Sequence, residues 1–329
     1  MESFNLLLKK EVCSIKPKTQ ELALSCLSAI IKSVGELSKN NNGEYIVIRT
    51  EMLEVFQFIN ALTEKIYGKS SNLEISDDTG YNDRVKYEVT LPQEITTQIL
   101  LDTETAFYDE NKYLCFYDGI SKYIVPTVEQ SIEYIKGAYI ACGTSNIVLS
   151  DKESLQGKKN TGYQMEFVFS SEKLSQDFSV LLAENDIITK QLKRKDFYVV
   201  YVQDFEQITS LIGTLGASKA FMALQNENAL RDMRNNVNRQ NNCYSGNITK
   251  VVNASVEQLN NIKIIQESIG IENLDESLRN TCYLRLANPD ESLDNLVKLS
   301  TEKLTKSGLY HRFKKIEKIA KECWAIIFI

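Results

Sequence analysis

The side chains in this 329-residue sequence that can do chemistry are few and unevenly placed. There is one histidine, His311, and it lies in a strongly basic stretch. An HExxH metal site needs two histidines, and any Ser–His or Cys–His catalytic pair would have to use this one, so most hydrolytic chemistries start with little to work with. The seven cysteines (Cys13, Cys26, Cys115, Cys142, Cys243, Cys282 and Cys323) are scattered, odd in number and form no CxxC pair. That argues against a zinc ribbon or a disulfide framework and for reduced thiols in the cytoplasm. What does cluster is cationic and polar: Lys306, Ser307, Tyr310, His311, Arg312, Lys314, Lys315 and Lys318. From Thr301 to Lys321 seven Lys/Arg face only Glu302 and Glu317. Lysines and arginines at that density neutralise phosphates, and polar tips among them reach base edges, which is the chemistry of binding double-stranded DNA. Two further cationic sets are accessory candidates for DNA contact: Arg231, Arg234, Arg239 and Lys250, and the cluster Lys193, Arg194 and Lys195 beside Lys190.

To present the main set, the segment from Lys306 to Lys321 has to be a helix. Thr305 is a suitable N-cap, and Leu309, Phe313, Ile316 and Ala320 recur at helical spacing as a stripe to bury. At 100° per residue, Ser307, His311, Lys314 and Lys318 then fall on the opposite face, flanked by Tyr310 and Lys315. A shorter helix with its own apolar face, Leu293 to Leu299, precedes it. A short basic helix behind another short helix is how a helix-turn-helix presents its recognition helix to the major groove. Upstream, helices are expected from about Ala254 to Ile269, ended by Gly270, and from Glu276 to Leu286. Between Asn226 and Asn253 lie nine asparagines interspersed with Arg231, Arg234, Arg239 and Lys250. Asparagine caps helices or pairs with adenine, so this stretch reads either as a structural bridge or as a DNA contact.

The first 216 residues read as one unit repeated. The first copy has an apolar helix, Gln20 to Gly35, a strand, Glu44 to Thr50, and an amphipathic helix, Met52 to Tyr67. Strands Asn72 to Ser76 and Arg84 to Leu91 follow, then a helix from Glu94. The second has a helix, Val128 to Gly143, a strand, Tyr163 to Phe169, and a helix, Glu172 to Asn185. Strands Thr189 to Lys193 and Phe197 to Val202 follow, then a helix, Phe205 to Leu215. Period-two alternation, as in Val85, Tyr87 and Val89, marks sheets covered on one face. Such a duplication predicts two lobes about a pseudo-two-fold axis. The segment Asp102 to Pro126 between the copies has no readable pattern.

Composition is that of a globular protein with a real core, 43% hydrophobic and 25% charged. The opening residues lack a signal-peptide pattern, and no run approaches the roughly 18 apolar residues that span a bilayer. Charge is segregated: 16 Lys/Arg against 13 Asp/Glu from Ala217 onward, +3, and 22 against 31 before it, −9. Polyanion contact is therefore expected to be local.

Several segments carry a resemblance. Ile135–Ser145, IKGAYIACGTS, is similar to a worn LAGLIDADG helix of homing endonucleases, and Leu27–Leu37, LSAIIKSVGEL, holds the same place in copy one. Arg234–Ala254, RNNVNRQNNCYSGNITKVVNA, and the stretch LTKSGLYHRFKKIEKIA after Leu274–Leu293 resemble the bacterial WhiA family. The resemblance is strongest from Arg231 onward, weak in the first hundred residues, and excludes the final WAIIFI. It implies an α+β fold: a pseudo-two-fold duplicated LAGLIDADG-like two-lobed domain, then an all-α helix-turn-helix domain. The expected domains are a body, 1–216, with lobes about 1–110 and 127–216, a helical Asn/Arg-rich linker, 217–272, the helix-turn-helix, 273–322, and a tail, 323–329. In the endonucleases two such helices pack side by side through small residues, here Ala29, Gly35, Gly137, Ala141 and Gly143, and each ends on an acidic metal ligand. Aligned on Gly35 and Gly143, those positions are Val34 and Cys142, neither a hard oxygen ligand. The expectation is a non-catalytic, cytoplasmic, nucleoid-associated DNA-binding regulator of transcription or of the chromosome, linked to cell division or sporulation. No cofactor or metal and no membrane contact are expected; other transcription or division proteins are further expected partners. The alternatives are a protein-interaction adaptor that barely uses DNA, an active homing endonuclease, and a ligand sensor.

Overall fold

A computed structural model describes residues 3–41, 43–76, 85–149 and 162–327, without the side chains of 325–327. The chain divides into two compact units, Met1–Ala229 and Leu230–Ile329. The first begins with α1 (Phe4–Ser14), which lies ahead of the repeat. Copy one is α2 (Gln20–Val34), β1 (Gly35–Asn40), β2 (Gly43–Thr50), α3 (Leu53–Tyr67), β3 (Asn72–Ser76), β4 (Lys86–Thr90) and α4 (Thr96–Asp102). A small hairpin, β5 (Ala106–Tyr108) with β6 (Leu114–Phe116), fills the segment whose form was unreadable. Copy two is α5 (Val128–Cys142), β7 (Gly143–Asn146), β8 (Gln164–Phe169), α6 (Glu172–Glu184), β9 (Lys190–Arg194), β10 (Phe197–Val202) and α7 (Phe205–Thr214). Two antiparallel sheets result, ordered β1-β2-β4-β3 and β7-β8-β10-β9, the same order twice, as a duplication requires. Arg84, the expected start of one strand, lies outside the described residues.

Two strands escaped the sequence reading, β1 and β7. Their sequences, GELSKN and GTSN, are short, polar and without alternation, so nothing in them signals a strand. Each follows its helix without a loop because a glycine lets the chain fold back over the helix end. A Cβ on Gly35 would stand 2.6 Å from Ile31 O, and one on Gly143 2.7 Å from Tyr139 O. These glycines therefore serve the helix-to-strand exit and not, as expected, the contact between the two helices. That contact is made at Gly137, where a Cβ would lie 2.3 Å from Cys26 O and 3.0 Å from the Ala29 Cβ.

Helices α2 and α5 are the centre of the body core. Cys26, Leu27, Ala29 and Ile30 on one and Ile135, Ala138 and Tyr139 on the other have no exposed surface. Several polar groups buried with them are paired: Ser25 Oγ donates to Ile124 O at 2.7 Å, Ser28 Oγ to Thr103 O at 2.7 Å, and Lys136 pairs with Glu133 Oε1 at 2.6 Å. Because backbone blocks the added methyl at Gly137, Gly137→Ala must push the helices apart, a cost of about 1–3 kcal/mol. A lowered urea midpoint at unchanged m-value is the expected result; an unshifted midpoint would mean that the helix pair has slack there.

Helix α8 (Ser218–Ser268) is continuous through the asparagine-rich stretch. The sequence reading expected this region to be helical but placed a separate helix from about Ala254. In the first unit Ala220 and Leu224 join the core, and the Glu11 carboxylate accepts from Lys219 N and Ala220 N, 2.8 Å each, at the helix start. In the second unit residues 235–250 are exposed and the helix ends at Gly270, φ +81. A 3-10 turn (Ile271–Asn273), α9 (Glu276–Ala287), α10 (Leu293–Leu299) and α11 (Lys306–Ile327) complete the unit. Helix α11 runs past Lys321 into the expected tail, and its residue Cys323 is buried. Residues 328–329 lie outside the described residues.

Candidate nucleic-acid interface

The turn between α10 and α11 is built from the buried side. Ile262 and Ile265 of α8, Leu278 and Cys282 of α9 and Leu296 of α10 surround Leu309, Phe313, Ile316 and Ala320 of α11. All four residues of the expected apolar stripe are thus buried. Under them lies Arg285, 2% exposed and among the largest fully buried side chains. Its Nε donates to Gln258 Oε1 at 2.9 Å, its Nη1 to Glu291 O at 2.6 Å and Asn288 O at 3.2 Å, and its guanidinium covers the Phe313 ring at 5.5 Å. Those carbonyls belong to the end of α9 and the loop into α10, so one side chain holds α8, that loop and α11 in register. Burial lowers the Arg285 pKa against the opposing field of Glu291. Nothing in LRLA distinguishes this arginine from a surface one; its role depends on the carbonyls brought round it.

Opposite the stripe, Ser307, Tyr310, His311, Lys314, Lys315 and Lys318 are all exposed. Thr305 Oγ1 accepts from Gly308 N at 3.1 Å, the cap that the sequence suggested. Tyr310 and His311 meet edge to face at 5.9 Å, and Lys314 Nζ stands 5.9 Å over the Tyr310 ring. The cations are not equivalent. Lys306 pairs with Asp294 of α10, and Glu317 takes Lys314 at 2.7 Å and Lys321 at 2.6 Å, which holds the Glu317 carboxyl below its usual pKa. Lys315 and Lys318 make no ion pair among the described residues. Arg312 is turned inward: its Nη1 lies 2.7 Å from Glu302 Oε2, 3.2 Å from Ser277 O and 3.4 Å from Thr281 Oγ1, tying α11 to α9. Hydrogen bonds from Asn280 and then Arg312 depress the Glu302 pKa. Arg312 therefore positions the face that its neighbours present.

The accessory sets are dispersed. Arg239 and Lys250 are exposed on α8, Arg231 and Arg234 half-buried. In the second sheet the alternation of β9 splits the basic cluster: Lys193 lies 5.1 Å over the Tyr198 ring, Arg194 turns to Glu166 on the other side at 3.3 Å, and Lys195 sits in the following turn with φ +55. On the first sheet Arg49 is held by Glu36 and, at 2.8 Å, by Glu88. Val34 and Cys142 are the last residues of α2 and α5, both half-buried. Cys142 Sγ contacts Ala138 O at 3.4 Å, and burial pushes its thiol up to about 11. Glu36, two residues beyond Val34, is engaged by Arg49, and the corresponding Thr144 is neutral.

No helix among the described residues is long and apolar enough to cross a membrane. The profile of the WhiA C-terminal HTH domain matches residues 237–320, and that of the WhiA LAGLIDADG-like domain residues 133–234. The chain is 32% identical over 321 residues to a "Probable cell division protein WhiA" of Clostridium acetobutylicum, covering 97% of this chain and 98% of that one. A protein of the same description from Clostridium beijerinckii is 32% identical over 320 residues, with coverage of 97% and 98%. The crystal structure of full-length DUF199/WhiA from Thermatoga maritima superposes with a TM-score of 0.54 at 20% identity, covering 96% of each chain, and shares the fold. With a duplicated α+β body in front and a helix-turn-helix behind, matched over nearly its whole length, the chain belongs to the WhiA family.

Proposed function

We propose that this protein is a non-catalytic, nucleoid-associated regulator in the cytoplasm that binds double-stranded DNA through α11 and acts on transcription or the chromosome in cell division, with sporulation control a related role. The observation that carries the reading is the two-sided α11: a fully buried apolar stripe, and opposite it an exposed face of Ser307, Tyr310, His311, Lys314, Lys315 and Lys318. In this reading Lys306, Ser307 and His311, near the helix start, read base edges, and the later lysines meet phosphates. The relatives' description as cell division proteins supports the process. The body is read as having no nuclease chemistry because Val34 and Cys142 stand where acidic oxygens would hold a divalent cation. The sheet arginines Arg49 and Arg194 are each paired with carboxylates, which withdraws them from any cationic DNA saddle.

Genome-wide occupancy of the intact protein, set beside a version ending before Leu274, tests the reading. Discrete sites that vanish on truncation are the expected result; an unchanged profile would move DNA contact into the body. Supercoiled plasmid incubated with the protein and Mg²⁺ is expected to stay intact, and reproducible nicking would revive the endonuclease reading. One observation favours the adaptor reading as well: the β5–β6 hairpin and its flanks expose Phe107, Tyr108, Tyr113 and Phe116, each 44–70% accessible. Exposed aromatics on both sides of a small surface hairpin suit protein contact, so the hairpin is where other transcription or division proteins would dock.

A further inference from the structure

A cleft of about 760 Å³ opens in the body between α1, the ends of α2 and α5 and the start of α3. It lies in the size range of small-molecule sites. Its apolar lining with open surface is Leu6 of α1, Val34, Met52 and Ala141, and charged and polar side chains share the wall with them. The charges there are Lys9, Arg49, Lys86 and Glu51. Arg49 is already engaged by Glu36 and Glu88. Lys9 is different. Its ammonium has three hydrogens to donate. One goes to Ile140 O in the last turn of α5, a long bond of 3.3 Å, and the amine lies 6.0 Å over the Tyr139 ring. It forms no ion pair among the described residues.

Another partly buried lysine shows what a satisfied one looks like. Lys32 donates to Tyr117 O at 3.0 Å and Gly119 O at 2.8 Å, and stands in the field of Asp118, Glu104 and Asp177. Around Lys9 the titratable neighbours are the high-pKa thiols Cys142 and Cys13, with Glu51 a weaker influence, and burial lowers the Lys9 pKa. A partly buried ammonium held by one long hydrogen bond to protein is a suitable counter-ion for an anion that enters the cleft. Its position is also fixed: Asn5 Oδ1, one turn earlier on α1, accepts from Ser145 N at 2.8 Å and clamps the helix against β7. The fold thus holds an incompletely paired ammonium at the mouth of an apolar hollow.

We propose that this cleft binds a small amphipathic anion, a carboxylate or phosphate ester bearing a short apolar chain, with the Lys9 ammonium as its counter-ion. The head group pairs with the Lys9 ammonium, and the chain lies over Val34 and Ala141. The hollow is at the ends of the paired helices, so the body is a ligand-responsive element whose apolar floor includes Val34.

Isothermal titration of the full chain with octanoate, octyl phosphate and the uncharged octanol tests this. Wild type is expected to bind at least one of the two anions at least tenfold more tightly than octanol, and comparison of the two identifies the head group. Lys9→Met keeps the length and removes the charge; it is expected to weaken anion binding at least tenfold while leaving octanol unchanged. Ala141→Phe, which fills the floor, is expected to abolish all three. Melting curves of the same proteins give an independent readout: without ligand, Lys9→Met is expected to melt at or above the wild-type temperature, because an under-paired charge is gone. If Lys9→Met does not fold, Lys9 is a structural residue and the proposal fails; so it does if wild type binds neither anion, if octanol binds as tightly, or if the Lys9→Met protein retains wild-type anion affinity.

Discussion

Replacing Lys315 and Lys318 together with alanine is expected to weaken binding to every duplex about 30-fold at roughly 0.15 M salt. The figure follows from counterion release. Each lost phosphate contact removes about 0.9 from the slope of log K against log salt, so two contacts make the slope shallower by about 2. The choice of residues rests on their surroundings. Both lysines are exposed and neither makes an ion pair among the described residues, whereas Lys306 is shared with Asp294 and Lys314 with Glu317. Lys314→Ala alone is therefore expected to cost less than Lys318→Ala. Glu317→Gln, which releases Lys314 and Lys321, is expected to tighten binding severalfold. His311→Ala and Lys306→Ala act on sequence preference instead, narrowing the gap between specific and non-specific duplex. Fluorescence anisotropy over a salt series reads all of these. A double variant with wild-type slope would show that α11 does not meet the phosphates.

Arg285→Ala is expected to have the second large effect, a loss of about 3–5 kcal/mol confined to the second unit. The substitution strands Gln258 Oε1 and the carbonyls of Asn288 and Glu291, and it opens a cavity beside the Phe313 ring. Without that support the loop into α10 and the seat of α11 lose their geometry together, and DNA binding goes with them. Hydrogen exchange separates this from a general effect. Amides of Cys282, Leu309 and Phe313 are expected to exchange far faster, while those of Leu27, Ile135 and Phe167 in the body core stay protected. Arg285→Lys is expected to rescue little, since one ammonium cannot span the positions that the planar fork bridges. Wild-type protection in the alanine variant would reduce Arg285 to a passive buried side chain.

How far such features are legible depends on whether their cause is local. The stripe Leu309, Phe313, Ile316 and Ala320 and its cationic opposite face are periodic within one helix, and the structure places them as the spacing demands. The two sheets of the body have the same strand order, in keeping with the repeat read from their hydrophobic patterns. By contrast β1 and β7 leave no pattern, because their pairing is supplied by β2 and β8. The cluster around Lys193 and Arg194 is contiguous in sequence yet divided between the two sides of a strand. Arg312 stands in the middle of the basic run and is spent on Glu302, Ser277 and Thr281.

Residue order alone sets the elements with a strong internal period, the segregation of charge toward the carboxyl end, and the presence of Val34 and Cys142, neither a carboxylate, at the ends of the paired helices. Those are properties of residue order, and a helix or strand has to respect them wherever it packs. Which cations remain available was decided only in three dimensions: Lys315 and Lys318 open, Lys306 and Lys314 shared, Arg312 and Arg285 turned to building the domain. So was the hollow beside Lys9, whose walls come from α1, α2, β2, α3 and α5. The physical reason is the same in both cases. A charge is only as available as its neighbours leave it, and several of those neighbours, such as Glu302 beside Arg312, Gln258 beside Arg285 and Ile140 beside Lys9, reach it only through folding.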